Sequence, residues 1–254
     1  MQPIFIESVL ENHTDIPLNP AEFQAIRNSQ FTSFSSIDQL VSEYQKSCPG
    51  KIELSKFLAN HLKDHQVQSI ISFGSGESVI EYLIKCYHGS IEICVSDFDE
   101  SMIDYCKSIY RDTFREYLKI DISKDGLDFL ANKFQLALVN AVIYALDNQK
   151  ATQFFRNLAL ANIKYVLVVH TAQLFVLNQL KRLAKGLLKS EAPKRENTFW
   201  GWSRYKREIV SVARPAGYRL TNYYVTDFGG ERAIYLFKLG YKAERSGSWL
   251  KKSL

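Results

Sequence analysis

From residue 69 onward the chain alternates short apolar runs with stretches whose apolar residues recur every three or four positions. The runs at 69–73, 91–96, 116–120, 136–140 and 165–170 are rich in Ile, Val and Leu and read as strands. Between them, 78–87 places Val79, Tyr82, Leu83 and Cys86 on one helical side, and 101–111 does the same with Met102, Ile103, Cys106 and Ile109. A further helix is predicted over 148–161. Continuous apolar strands interleaved with amphipathic helices predict an α/β fold with a parallel sheet covered on both faces. Near the C-terminus the rhythm changes. Two runs rich in Tyr, Val, Ile and Phe, 219–226 and 231–239, flank Asp227-Phe228-Gly229-Gly230 and predict an antiparallel hairpin.

The segment before residue 66 reads as helical and connective. A short helix is predicted over 21–28, with Phe23 and Ile26 on one side. Ser36-Ile37-Asp38-Gln39 has capping-box spacing and opens a helix with Ile37, Leu40, Val41 and Tyr44 on its apolar face. Pro49-Gly50 is expected to stop it, and 52–64 to form the next helix with Leu54, Phe57, Leu58 and Leu62 inward. The chain thus divides into a helical cap (1–66), a core (67–240) and a basic tail (241–254).

Composition narrows this picture in three ways. With 254 residues and 46% hydrophobic content, a single sizeable core is accessible. No apolar run approaches the roughly 20 residues that span a bilayer, and the start lacks an export signal, so a soluble, cytoplasmic protein is expected. Cys48, Cys86, Cys94 and Cys106 lie too far apart for Cys-x-x-Cys chemistry and are read as reduced structural thiols. His61 and His65 share a helix face without a third ligand, so no metal is expected. The formal net charge is +5, and the basic residues concentrate between Lys181 and Arg207, where a phosphorylated substrate, an acidic partner or RNA would feel them.

The chemistry concentrates in 69–103. An apolar strand breaks into Gly74-Ser75-Gly76-Glu77-Ser78, and Asp97-Phe98-Asp99 follows about twenty residues later, the grammar of a nucleotide pocket. A dinucleotide fingerprint would require a third glycine where the chain has Val79, which argues against NAD. Taken with Asp121-Ile122, Val139-Asn140 and the terminal hairpin, residues of about 68–240 resemble a class I S-adenosylmethionine-dependent methyltransferase. The resemblance implies a Rossmann-like, doubly wound, seven-stranded sheet, mostly parallel, ending in an antiparallel hairpin. It implies S-adenosylmethionine as cofactor and S-adenosylhomocysteine as product, bound by Phe73, Gly74, Ser75, Gly76, Asp97, Phe98, Asp121, Ile122 and Asn140. In it the glycines let backbone approach the methionine part, Asp97 takes the ribose hydroxyls, Phe98 packs on adenine, and Asp121 with Ile122 meets its amino group. Two positions depart from the family. Ser72 stands where an acidic residue is usual and supplies no charge for a cationic cofactor, and Ser78 replaces a third glycine. Ser78 could cap the following helix, and Glu77 or Glu81 could supply the missing charge.

Methyl transfer needs alignment above all. A base is required only if the acceptor must lose a proton. His170 at the end of strand five is the best-placed base and Tyr144 a candidate for orienting the acceptor. Trp200, Trp202, Arg204 and Tyr205 precede the hairpin, where an aromatic wall and an anion-gripping cation would select the substrate. The expected acceptor is an oxygen or nitrogen of a small molecule, phosphate- or carboxylate-bearing compounds among them. The alternatives are a scaffold protein with a decayed cofactor site and an RNA methyltransferase using the basic region 181–207.

Overall fold

The computed structural model describes residues 34–171, 204, 206–227 and 231–240. Their helices and strands, in chain order, are α1 (Ile37–Ser47), α2 (Pro49–Asp64), β1 (Ser69–Phe73), α3 (Val79–His88), β2 (Glu92–Asp97), α4 (Glu100–Tyr110) and β3 (Glu116–Lys119). Then come β4 (Leu136–Asn140), α5 (Asn148–Leu160), β5 (Tyr165–Thr171), α6 (Lys206–Ala213), β6 (Tyr218–Asp227) and β7 (Glu231–Leu239). The predicted helix at 21–28 and the tail lie outside the described residues.

One seven-stranded sheet runs in the order β3-β2-β1-β4-β5-β7-β6. β1 to β5 pair in parallel, and β7 enters antiparallel between β5 and β6. Strand order reverses between β1 and β4, which opens a crevice at their C-terminal ends. The predicted doubly wound sheet with a terminal hairpin is therefore what the chain forms.

Alternation along each strand feeds two cores. On one face Ile71, Phe73, Val139, Val166 and Val168 pack with Phe154, Phe155 and Leu158 of α5 and with Ile209 and Val212 of α6. On the other, Ile70, Val95, Leu138 and Val169 pack with Leu54, Leu58 and Leu62 of α2, Ile80 and Ile84 of α3, and Met102 and Cys106 of α4. Leu40 of α1 and the helices before β1 thus share a core with the sheet.

Two local expectations change. Pro49-Gly50 ends α1 but also begins α2, three residues earlier than predicted, because Pro at the first helical position has no N–H to leave unpaired. The capping box is half formed: Ser36 Oγ accepts from Gln39 N–H at 3.3 Å, while Gln39 Oε1 accepts from Ser35 rather than from Ser36.

Candidate functional site

The crevice begins at the elbow after β1. Gly74 and Gly76 have φ of +61° and +57°, in the left-handed region that a side chain disfavours, and Ser78 follows at +54°. Ser75 N–H donates to Ser96 O at 3.0 Å and Ser78 N–H to Ser75 O at 2.9 Å, so the elbow is stitched to β2 and to itself. Gly74 also answers to packing. A Cβ there would overlap Cγ2 of Val142, which lies against the elbow from the loop after β4. At Gly74 the side where a Cβ would point is filled by the protein itself.

Asp97 ends β2 beside the elbow. Its Oδ2 accepts from Gly76 N–H at 3.0 Å and its Oδ1 from Asp99 N–H at 3.1 Å, which fixes the carboxylate against the glycine loop. Asp99 takes the other role foreseen for this tip: it caps α4, accepting from Ser101 N–H at 3.0 Å and Ser101 Oγ–H at 2.7 Å. Phe98 between them is half-buried.

Beneath the elbow lies a residue that was only a side option in the sequence. Glu81 of α3 is 1% exposed, and Ser72 Oγ donates to its Oε1 at 2.6 Å. Burial pushes the Glu81 carboxyl up to about 7, while the Ser72 bond and Lys51 pull down and Asp97 pushes further up. The signal was a lone acid inside Val79-Ile80-Glu81-Tyr82-Leu83-Ile84. Ser78 does not cap α3; its hydroxyl donates to Ser75 Oγ at 3.0 Å and contacts Cys106 Sγ at 3.5 Å. Above, Tyr44 of α1 donates its hydroxyl to Glu77, and Lys51 of α2 donates to Tyr44 at 3.4 Å, so the N-terminal helices reach the loop.

The remaining predicted residues divide. Phe73 is fully buried and meets Phe154 edge-on at 5.2 Å, so its ring belongs to the core and only its backbone faces the elbow. Asp121 is committed to its own turn, accepting from Ser123 N–H and Oγ–H at 3.0 and 2.6 Å and pairing with Lys124 at 3.0 Å. Partial burial pushes its carboxyl up, but these donors outweigh that and hold it below the ordinary value. Ile122 helps line a cavity of about 510 Å³ with Lys124, Asp147, Lys150, Gln153 and Arg156; the cavity does not reach Gly74, Gly76 or Asp97.

Asn140 is half-buried at the end of β4 and registers with Val169. His170, 3% exposed, lies on the face of Val166 and Val168, opposite to Asn140's. Ala141, with φ of +53°, turns the chain after β4 and brings Val142 to the elbow.

Arg204 corrects a substrate expectation. It is 3% exposed, and its guanidinium donates to Ile143 O at 2.8 Å, Leu146 O at 2.5 Å and Asn148 Oδ1 at 3.0 Å. Burial lowers it to about 10, which leaves it charged, and its donors are engaged in holding the loop between β4 and α5 rather than gripping an anion. Trp200, Trp202 and Tyr205 lie outside the described residues, as does the side chain of Tyr144, whose backbone falls in the turn Ile143–Ala145. His61 packs beside His65, Phe57 and Tyr224, with ring centroids 4.4, 6.1 and 5.6 Å away. Among the described residues no helix is long and apolar enough to cross a membrane.

No family model and no curated protein matches the sequence. Solved structures do match by shape. The chain is similar to magnesium protoporphyrin IX methyltransferase (ChlM) from Synechocystis PCC 6803 with bound SAH, at TM-score 0.58 and 12% identity over 75% of this chain and 84% of that one. The mitomycin 7-O-methyltransferase MmcR gives 0.57 and 12% over 74% and 54%, and the methyltransferase domain of bacterial CtHen1 gives 0.55 and 16% over 75% and 99%. At these identities the likeness establishes the fold, which is that of the class I S-adenosylmethionine-dependent methyltransferases.

Proposed function

We infer that the chain is a methyltransferase that uses S-adenosylmethionine to methylate an oxygen or nitrogen of a small acceptor. The observation that carries this reading is the Asp97 carboxylate, held at 3.0 Å against the glycine elbow by Gly76 N–H at the switch point of the sheet. A ribose-bearing cation fits this donor set: an anchored carboxylate for two hydroxyls, left-handed backbone at Gly76 for close approach, and acidic groups for positive charge. The solved neighbours named for O-methylation or crystallised with SAH support the same reading.

Bound there, S-adenosylmethionine supplies a methyl carbon already activated by its sulfonium, so the protein's task is to align an acceptor and exclude water. Asp97 would orient the ribose, Phe98 would pack on the adenine, and the backbone of Ser75, Gly76 and Ile122 would complete the cradle. Because the Asp121 side chain is held in its own turn, its contribution would pass through the backbone beside it. Asn140 would line the passage to the acceptor. His170 would take a proton from acceptors that must lose one, and Tyr144 would orient them. Trp200, Trp202 and Tyr205 would wall the acceptor side.

Calorimetric titration with S-adenosylmethionine and S-adenosylhomocysteine tests the reading. Saturable 1:1 binding of both, weakened at least about a hundredfold by Asp97→Ala, supports it. No heat at millimolar ligand would leave a scaffold protein with this fold.

A further inference from the structure

We propose that Glu81, presented by Ser72, is a positioning residue that carries the negative charge for a cationic cofactor, relocated from the end of β1 to the first turn of α3. The proposal rests on the cofactor reading above. Ser72 occupies the strand position directly beneath the elbow, and strand alternation turns it away from Phe73 toward α3. Its hydroxyl meets Glu81 Oε1 at 2.6 Å, so a carboxylate stands one hydroxyl's reach from where a side chain of residue 72 could place its own. The Ser72 carbonyl accepts from Ser96 Oγ–H at 2.9 Å, which fixes the strand end that presents the pair. A fully buried acid among Val79, Ile80, Leu83 and Ile84 costs stability when ionised, and the Ser72 hydroxyl offsets only part of that cost.

The charged and titratable groups around Glu81 come from three neighbouring elements. Lys51 of α2 favours the carboxylate, and Asp97 at the tip of β2 opposes it. Tyr110 of α4 lies close enough to feel its charge, as it feels Cys106 and Glu77. With the carboxyl near 7, neutral solution holds a mixture of both forms. A cation seated over the elbow draws that mixture toward the carboxylate, and a neutral ligand of the same shape does not. Glu81 therefore distinguishes the sulfonium of S-adenosylmethionine from the thioether of S-adenosylhomocysteine and favours release of the product.

The test compares the two ligands by titration calorimetry on the full chain, wild type and Glu81→Gln, at pH 8 and at pH 6. In the wild type, affinity for S-adenosylmethionine should fall as pH drops through 7 while that for S-adenosylhomocysteine stays nearly level. In buffers of different ionisation enthalpy at pH 7, S-adenosylmethionine should release a fraction of a proton. Glu81→Gln should lose roughly tenfold in S-adenosylmethionine affinity at pH 8, change S-adenosylhomocysteine by less than about twofold, and release no proton. Ser72→Asp added to Glu81→Gln should restore the preference for the sulfonium, which separates lost charge from lost packing. An unchanged ratio of the two affinities, or equal weakening of both, overturns the proposal while leaving the cofactor site standing. Failure of both ligands to bind the wild type removes the cofactor reading and this proposal with it.

Discussion

At the β1–β2 end of the crevice the polar groups find partners at shorter separations: Glu81 lies 9 residues from Ser72, Asp97 lies 21 from Gly76 and Tyr44 lies 33 from Glu77. At the β4–α5 end Arg204 reaches back 56 to 61 residues to Asn148, Leu146 and Ile143. The first end is one βαβ unit folding on itself. The second is a loop held by a cation delivered from beyond β5. A constant ligand suits the first design, because loop, strand tip and helix form together. A variable acceptor suits the second, because Arg204 is bonded to the loop after β4 and to the start of α5 rather than to the elbow. The two ends meet where Val142 packs on Gly74.

Arg204→Ala should break the distant end most severely. It removes a buried cation from two carbonyls and Asn148, and a loss of about 4 kcal/mol is expected in urea unfolding. Cofactor affinity of the folded fraction should change by no more than about twofold if the two ends are independent. A large loss of affinity at unchanged stability would reverse the assignment.

Glu81→Gln should sharpen the contrast from the other side. The folded protein holds the Glu81 proton up to about 7, against an ordinary value of 4.5, so the wild type loses stability as pH rises through that window and stays lower above it. The variant lacks this penalty. Its stability relative to wild type should therefore climb between pH 4.5 and 7, by up to about 3 kcal/mol, as followed by thermal melts. A stabilised protein with poorer cofactor discrimination is the expected pair of outcomes.

Asp97→Asn keeps the shape of the strand tip and removes its charge. Cofactor affinity should fall about a hundredfold, close to 3 kcal/mol, for about 1 kcal/mol of stability. The junction should respond least. Gly74→Ala should cost about 2 kcal/mol through the positive φ and the overlap with Val142, and Val142→Ala in the same chain should return the steric part. Additive effects would show that the two ends do not meet there.

The same contrast explains what could be read from the chain. β1, β4 and β7 were legible to the residue because continuous apolar runs bounded by Gly, Asn or polar residues have few other meanings. The start of α2 was not, since Pro49-Gly50 signals a stop and also serves as a first turn. Asp99 was legible as a capping residue because capping geometry is local. Glu81 was legible only as one of two acids, with Glu77, that could supply charge, because an acid beside Tyr82 in an amphipathic helix reads equally as solvated until the strand that faces it is known. Arg204 misled for the same reason: its partners sit beyond any local window, and a cation among aromatics suggests a ligand.

In the proposed site the Asp97 carboxylate, locked to the glycine elbow, seats the ribose. A crystal structure with S-adenosylhomocysteine tests it most directly. Both ribose hydroxyls are expected within about 3 Å of the Asp97 oxygens, with the adenine beside Phe98 and Ile122. Ligand density in the cavity between Ile122 and α5, with no ribose hydroxyl on the Asp97 oxygens, would contradict it.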